Sequence, residues 1–272
     1  MSTLASPPHS AVCPAGQCVL TEEWTAAHLV SRERVKETTA LLTFKLPDES
    51  KPLGLSTCAC ILAKGGDDGK GSPVVRPYTP ISTNGMKGRF ELMVKIYPDG
   101  AMSQHMNKLE IGDAVEFKHI PFNVKVQYPF GRKAVGMLAG GTGVAPMIQA
   151  LHALLGTPGD DTAVSMLYGS KVKEDILAEE TLSSWSAASG GRFTCTHLLS
   201  EEPESSAWAG ARGYITRELI EANLPAPSED CTIFVCGPPG MYDSLCGPRN
   251  EPEELKGILA EMGYTAAQVV KF

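Results

Sequence analysis

Short runs of hydrophobic and alternating positions mark the first half of the chain. Leu41–Leu46, Phe90–Tyr97 and Ala114–Phe117 read as strands separated by Gly- and Pro-containing turns. Asp67–Ser72, with two aspartates and two glycines, predicts a hairpin loop. Strands this short and this closely spaced favour a β-barrel or sandwich. After about Arg132 the pattern changes to apolar runs alternating with helical periodicity. Strands are expected at Ala134–Ala139, Ala163–Tyr168, Phe193–Leu199 and Thr232–Cys236. Helices are expected near Ala145–Leu155, Glu174–Ser186, Thr216–Ala222 and Pro252–Met262. That alternation predicts a parallel α/β sheet. The boundary falls in Pro121–Lys133, which divides the chain into a flexible amino terminus (1–20), a β-barrel (21–125), a linker (126–134) and an α/β domain (135–272).

Composition narrows the function classes. With 272 residues, 43% hydrophobic and 20% charged, the chain can form two folded domains. Its net charge of −7, from 24 Lys+Arg against 31 Asp+Glu, argues against nucleic acid as a partner. No run approaches the ~20 apolar residues of a membrane span, and Met1–Gly16 has neither a basic start nor an apolar core. A soluble, cytoplasmic, monomeric protein is expected. The eight cysteines include no CxxC pair, so no metal site is expected and the thiols are read as reduced.

Three segments carry candidate chemistry. Gly136–Met147 runs from an apolar strand into the Gly140–Gly143 turn, with Pro146 at an early helix position. Backbone amides and a helix N-terminus there can face a pyrophosphate, although a purely structural strand–helix turn fits the same residues. Phe234–Met241 places Cys236, Gly237 and Pro238 at the carboxyl end of another strand, the edge where parallel sheets bind ligands. Cys236 reads either as a packed small hydrophobe or as a polarizable contact to a nicotinamide. In the first half, Arg76–Ser82 combines a cation, an aromatic face and a hydroxyl, suited to a phosphate, a flat ring and a ring heteroatom. Gly100–Gln104 then opens a helix on small residues, and Ser103 with the local amides can cradle phosphate.

RPYTPIS at Arg76–Ser82, LMVKIY at Leu92–Tyr97, GAMSQ at Gly100–Gln104, GGTGVAPM at Gly140–Met147 and CGPPGM at Cys236–Met241 occur in this order. Together they resemble the NADH–cytochrome b5 reductase family, within the wider ferredoxin–NADP reductase superfamily. The resemblance implies an FAD-binding β-barrel followed by a nicotinamide-binding α/β domain, with the flavin ring in the cleft between them. It places Arg76 and Ser103 on the flavin pyrophosphate, Tyr78 against the ring, and Thr79 near its N5 edge. Pro77, Val94, Tyr97, Gly100, Ala101 and Met102 complete that site. Lys95 lies beside the nicotinamide nucleotide, which is received by Gly140, Gly141, Thr142, Gly143, Ala145, Cys236, Gly237, Pro238 and Met241. Thr79, Lys95 and Cys236 form the implied catalytic set.

Departures from the family pattern are Ala101 in place of a basic residue, Ala145 in place of a threonine, and Cys60 where a histidine is usual. The implied reaction passes hydride from NADH to FAD and single electrons onward to a haem protein, cytochrome b5 being the expected acceptor. A diaphorase- or nitrate-reductase-like module, or a slow flavin-binding sensor, is the alternative. In the family, NADH preference goes with an acidic residue after the third strand of the nucleotide domain. The matching position is Ser200; adjacent Glu201 and Glu202 can restore the repulsion of a 2′-phosphate, while Lys171 offers a cation. NADH is therefore expected to be preferred over NADPH by about 1–3 kcal/mol. Lys87, Arg89, Lys125, Arg132 and Lys133 are expected to steer an acidic acceptor.

Overall fold

The structure is a computed structural model that describes residues 3–121 and 124–272. Phe122 and Asn123, inside the expected boundary stretch, and Met1 and Ser2 in the amino terminus lie outside the described residues. The chain forms two compact units. One holds Thr3, His9–Tyr128 and Ile148–Gly156; the other holds Leu4–Pro8, Pro129–Met147 and Thr157–Phe272.

The first unit is a curled antiparallel half-barrel of six strands: β1 Thr25–Lys36, β2 Thr39–Lys45, β3 Ile61–Gly65, β4 Val74–Tyr78, β5 Arg89–Lys95 and β6 Ala114–His119, in the order β4-β3-β6-β1-β2-β5. Phe44, Phe90 and Phe117 from β2, β5 and β6 form its centre, with ring centroids 5.0–5.7 Å apart and none exposed. Burying three such rings is a large part of the hydrophobic drive for the unit. Asp67 and Asp68 accept amide bonds from Gly69, Lys70, Gly71 and Ser72, which closes the hairpin between β3 and β4. Helix α1, Ala101–Lys108, packs on β3, β4 and β5. It approaches so closely that a Cβ on Gly65 would meet the His105 ring at 2.4 Å.

The second unit is a six-stranded parallel sheet: β7 Ala134–Gly140, β8 Ala163–Ser170, β9 Phe193–Leu199, β10 Ala211–Arg212, β11 Cys231–Cys236 and β12 Val269–Lys271, in the order β10-β9-β8-β7-β11-β12. Its crossovers carry α2 Val144–Gly156, α3 Glu179–Ala188, α4 Arg217–Asn223, α5 Pro239–Leu245 and α6 Gly257–Glu261. Strands β8 to β10 are added on one side of β7 and β11 and β12 on the other, so the strand order reverses between β7 and β11, the switch point at which ligands bind such sheets.

Several elements differ from the sequence expectation. The Glu174–Ser186 helix is broken: Lys173–Asp175 is a 3-10 turn, Ala178 adopts φ +53°, and α3 begins only at Glu179. The Pro252–Met262 helix shrinks to α6, because Gly257 sits at φ +66° with its would-be Cβ 2.4 Å from the Ser244 carbonyl. Strands β1, β3, β4, β10 and β12 and helix α5 carry no expectation. β1 hides because its polar run SRER is exposed apart from the half-buried Arg32 and its pairing with β2 shifts register twice, so period-two alternation is lost.

Candidate functional site

In the first unit, β4 and the N-terminus of α1 are brought together on neighbouring elements. Arg76 is exposed on β4, and its guanidinium donates to the adjacent Val75 carbonyl at 2.8 Å. Tyr78 is half-buried; burial pushes its phenol up to about 12, against the opposing pull of the Arg76 charge, so it is neutral at physiological pH. Tyr97 is 48% exposed, and Lys95 Nζ lies 6.0 Å from its ring centroid. Gly100 caps α1 with no side chain bonded to the first amides, so the helix opens with unsatisfied donors. Ser103 shapes this turn from within: its hydroxyl donates to the Gly100 carbonyl at 2.9 Å and accepts the Tyr97 amide at 3.1 Å. A Cβ on Gly100 would fill the turn, 2.4 Å from Ser103 Oγ. Val94 and Met102 are core side chains, so only their backbone is available to a ligand. Pro77 is exposed at the end of β4, with Thr79 partly exposed beyond it. Gln149, on the part of α2 that groups with this unit, donates to the Pro80 and Ser82 carbonyls, both at 2.6 Å, and fixes the segment after Thr79.

In the second unit, β7 and β11 pair in register so that Ala139 faces Cys236, and the two Gly-rich turns leave the sheet side by side. Gly141–Gly143 is a 3-10 turn leading into α2, whose N-terminus also lacks a side-chain cap. Its glycines have different reasons. A Cβ on Gly143 would lie 2.0 Å from the Cys236 carbonyl oxygen, and one on Gly140 would lie 2.8 Å from Met241 Sδ. These two therefore serve close packing of turn on turn. Gly141 has open space where a Cβ would be, and it is glycine for its φ of +53°. Pro238 caps the seven-residue α5, which starts beside the same edge. The donors offered here are almost all backbone N–H groups, the chemistry that suits a pyrophosphate.

Farther along the same edge, Ser200 and Glu201 bond through their amides to the Ser170 and Lys171 carbonyls at 3.0 and 2.8 Å. Lys171 Nζ pairs with Glu201 at 2.9 Å. The Glu202 carboxylate accepts the Lys173 amide at 2.9 Å, a bond that holds its carboxyl below the usual range. Arg212 donates to the carbonyls of Glu202, Pro203 and Trp208 and to Ser206, which gives the loop a fixed shape.

Residues 26–121 match the model of the oxidoreductase FAD-binding domain, and residues 137–247 that of the oxidoreductase NAD-binding domain. The NADH-cytochrome b5 reductase 2 of Aspergillus fumigatus is 39% identical over 257 residues, which span 92% of this chain and 77% of that protein. The chain belongs to the NADH–cytochrome b5 reductase family. An NADH-cytochrome b5 reductase-like protein of Arabidopsis thaliana is 38% identical over 258 residues, again 92% of this chain and 77% of the other. The crystal structure of the cytochrome b5 reductase domain of Ulva prolifera nitrate reductase superposes with a TM-score of 0.79 at 26% identity, covering 98% of this chain and 100% of that one.

This reductase-family chain is thus an oxidoreductase with an FAD-binding and an NAD-binding domain. Two of the departures expected from the family pattern have the following surroundings. The Ala101 side chain packs against the core of the first unit, and Ala145, 7% exposed, is the second residue of α2. Cys60 is half-buried just before β3, and nothing in the structure explains its replacement of a histidine. The basic residues expected to steer a partner, Lys87, Arg89, Lys125, Arg132 and Lys133, are all exposed; Lys133 also pairs with Asp230 at 2.8 Å and Arg132 donates to the Glu229 carbonyl. Sequence reasoning missed Gln149, Tyr168 and the pairing of Lys171 with Glu201. Gln149 and Tyr168 lie a few residues from recognised motifs or at a strand end, but nothing in one-dimensional spacing says which carbonyl a side chain will reach.

Proposed function

We propose that this protein oxidises NADH through bound FAD and delivers single electrons to a haem protein of the cytochrome b5 type, in the cytosol and as a monomer. The observation that carries the reading is the register of β7 with β11, which sets two backbone-lined turns side by side at the switch point of a family-matched nucleotide domain. Bound FAD supplies the hydride-accepting and one-electron chemistry. The residues of the first unit fit that group: Arg76 and the open amides of α1 offer charge and donors for a pyrophosphate, with Ser103 holding the turn, while Tyr78 offers a neutral aromatic face. Thr79 follows Tyr78 in the chain, next to the segment held by the bonds from Gln149, and Lys95 stands at the end of β5 with its ammonium 6.0 Å from the Tyr97 ring. In the second unit Gly140–Gly143, Gly237 and Pro238 receive the coenzyme pyrophosphate, and Cys236 lies at the strand end beside it.

Coenzyme choice follows from charge. Glu201 neutralises Lys171, the cation at the end of β8, so a 2′-phosphate meets an occupied lysine and a carboxylate instead of a vacant cation. NADH is the better substrate, and NADPH is a weaker one.

One assay series tests the reading. Purified protein should be yellow with one FAD, reduce ferricyanide with NADH, and reduce cytochrome b5 with a rate that falls as salt rises. FMN in place of FAD, or no flavin after gentle purification, would refute it. Ferricyanide reduction without cytochrome b5 reduction would instead favour the diaphorase- or nitrate-reductase-like alternative, and flavin binding without turnover the sensor.

A further inference from the structure

We infer that Tyr168 is a positioning residue for the coenzyme turn: its phenol fixes the Gly141 peptide and ties that turn to the segment after β8. The inference rests on the reading of Gly140–Gly143 as the dinucleotide site. Tyr168 is fully buried near the carboxyl end of β8, with 0% of its surface exposed. Its hydroxyl donates to the Gly141 carbonyl at 3.0 Å and accepts the Leu177 amide at 3.2 Å. A phenol has one proton to give and can accept in return, so one oxygen joins two loops. Burial pushes its pKa far above the ordinary tyrosine value, which keeps the proton on it throughout the working pH range.

The geometry explains why the turn needs this bond. Gly143 is held on the β11 side by contact with the Cys236 carbonyl. Gly141 has no side chain and open space around its Cα, so packing does not fix its φ of +53°. Its carbonyl does: it accepts the Val144 amide inside the 3-10 turn and the Tyr168 hydroxyl from outside. In a planar trans peptide the following N–H points opposite to the carbonyl. Anchoring the Gly141 carbonyl on the buried phenol therefore turns the Thr142 amide away from the phenol, where it can donate to a pyrophosphate. The second bond, from Leu177, holds the segment that begins at Lys171, so both ends of the dinucleotide edge depend on one hydroxyl.

Tyr168→Phe keeps the ring and its packing and removes only the hydroxyl. In the FAD-loaded enzyme, KM for NADH and Kd for NAD+ should rise about 3- to 10-fold, the loss of one or two hydrogen bonds, while kcat stays within about 2-fold and FAD content is unchanged. Tyr264→Phe removes another largely buried phenol bond of the same unit, to the Pro225 carbonyl, and should lower the melting temperature without moving KM. Unchanged KM and Kd in Tyr168→Phe, or an equal shift in Tyr264→Phe, would overturn the inference. Amide exchange of the unaltered holoenzyme gives a second measurement: the Thr142 amide should slow on adding NAD+, and exchange that NAD+ leaves unchanged there while slowing Gly237 would equally overturn it. A parent enzyme that binds no NAD+ at all defeats the dinucleotide-site reading itself, a different result from either.

Discussion

Gly100–Ser103 in the first unit and Gly140–Gly143 in the second both open a helix without a side-chain cap, yet they keep their shape by different means. In the first, a hydroxyl braces the turn from inside through Gly100 and Tyr97, and in the proposed reading the charge for a ligand comes from Arg76 on another element. In the second, the turn is wedged against the neighbouring strand end and pinned by a buried phenol, and the donors are backbone. The first design separates shape from affinity. In the second, the same atoms provide both. Substitution of Arg76 should therefore affect ligand binding alone, and substitution within Gly140–Gly143 should affect folding together with binding.

The sharpest way to break this contrast is Gly143→Ala. A Cβ 2.0 Å from a backbone carbonyl cannot be accommodated without moving β7 from β11, so about 3 kcal/mol or more of stability should be lost, read as a fall in melting temperature. Gly141→Ala, with open space and only conformational strain, should cost about 1–2 kcal/mol. Equal costs would mean that packing is not what separates the two glycines.

Acid should sharpen the contrast along α2. His152, 2% exposed on that helix, accepts the His9 amide, and burial first, then the His9 charge, lower its value to about 4. The unfolded state binds a proton below about 6.5 while the folded state resists until about 4. Stability is thus fully present above 6.5 and should fall by about 2–3 kcal/mol as pH drops toward 4. Denaturant titrations at several pH values should show this slope, and His152→Asn, which can still accept from His9, should flatten it.

Arg76→Ala tests the separation of shape from affinity in the first unit. FAD retention should weaken by about 1.5–3 kcal/mol, measured by flavin release, with the melting temperature of the flavin-free protein unchanged. A large fall in that temperature would show that the arginine also holds the fold. The smallest effect belongs to the exposed pair. Glu201→Gln frees Lys171 and should narrow the NADH preference by up to about 1 kcal/mol in kcat/KM, whereas Ser200→Asp should widen it. Higher efficiency with NADPH in the parent protein would overturn the assignment.

Much of this molecule is legible in one dimension where a signal is local. Apolar alternation located β2 and β5, glycine and aspartate located the loop between β3 and β4, and an apolar strand ending in GGTG announced the β7–α2 turn, because each depends on residues within a few positions of one another. The order of motifs carried the family and both cofactor domains. What needed the tertiary structure was every long-range partner. Val94 and Met102 stand inside segments proposed to bind a ligand but face the core, Gly143 is glycine because of a carbonyl ninety-three residues away at Cys236, and Lys171 has its charge met by Glu201 across two strand ends. Helix periodicity over Pro252–Met262 likewise failed against the close approach of Gly257 to Ser244. Local chemistry selects the elements; which atoms meet is decided by sheet order and register, which bring together residues that the sequence keeps far apart.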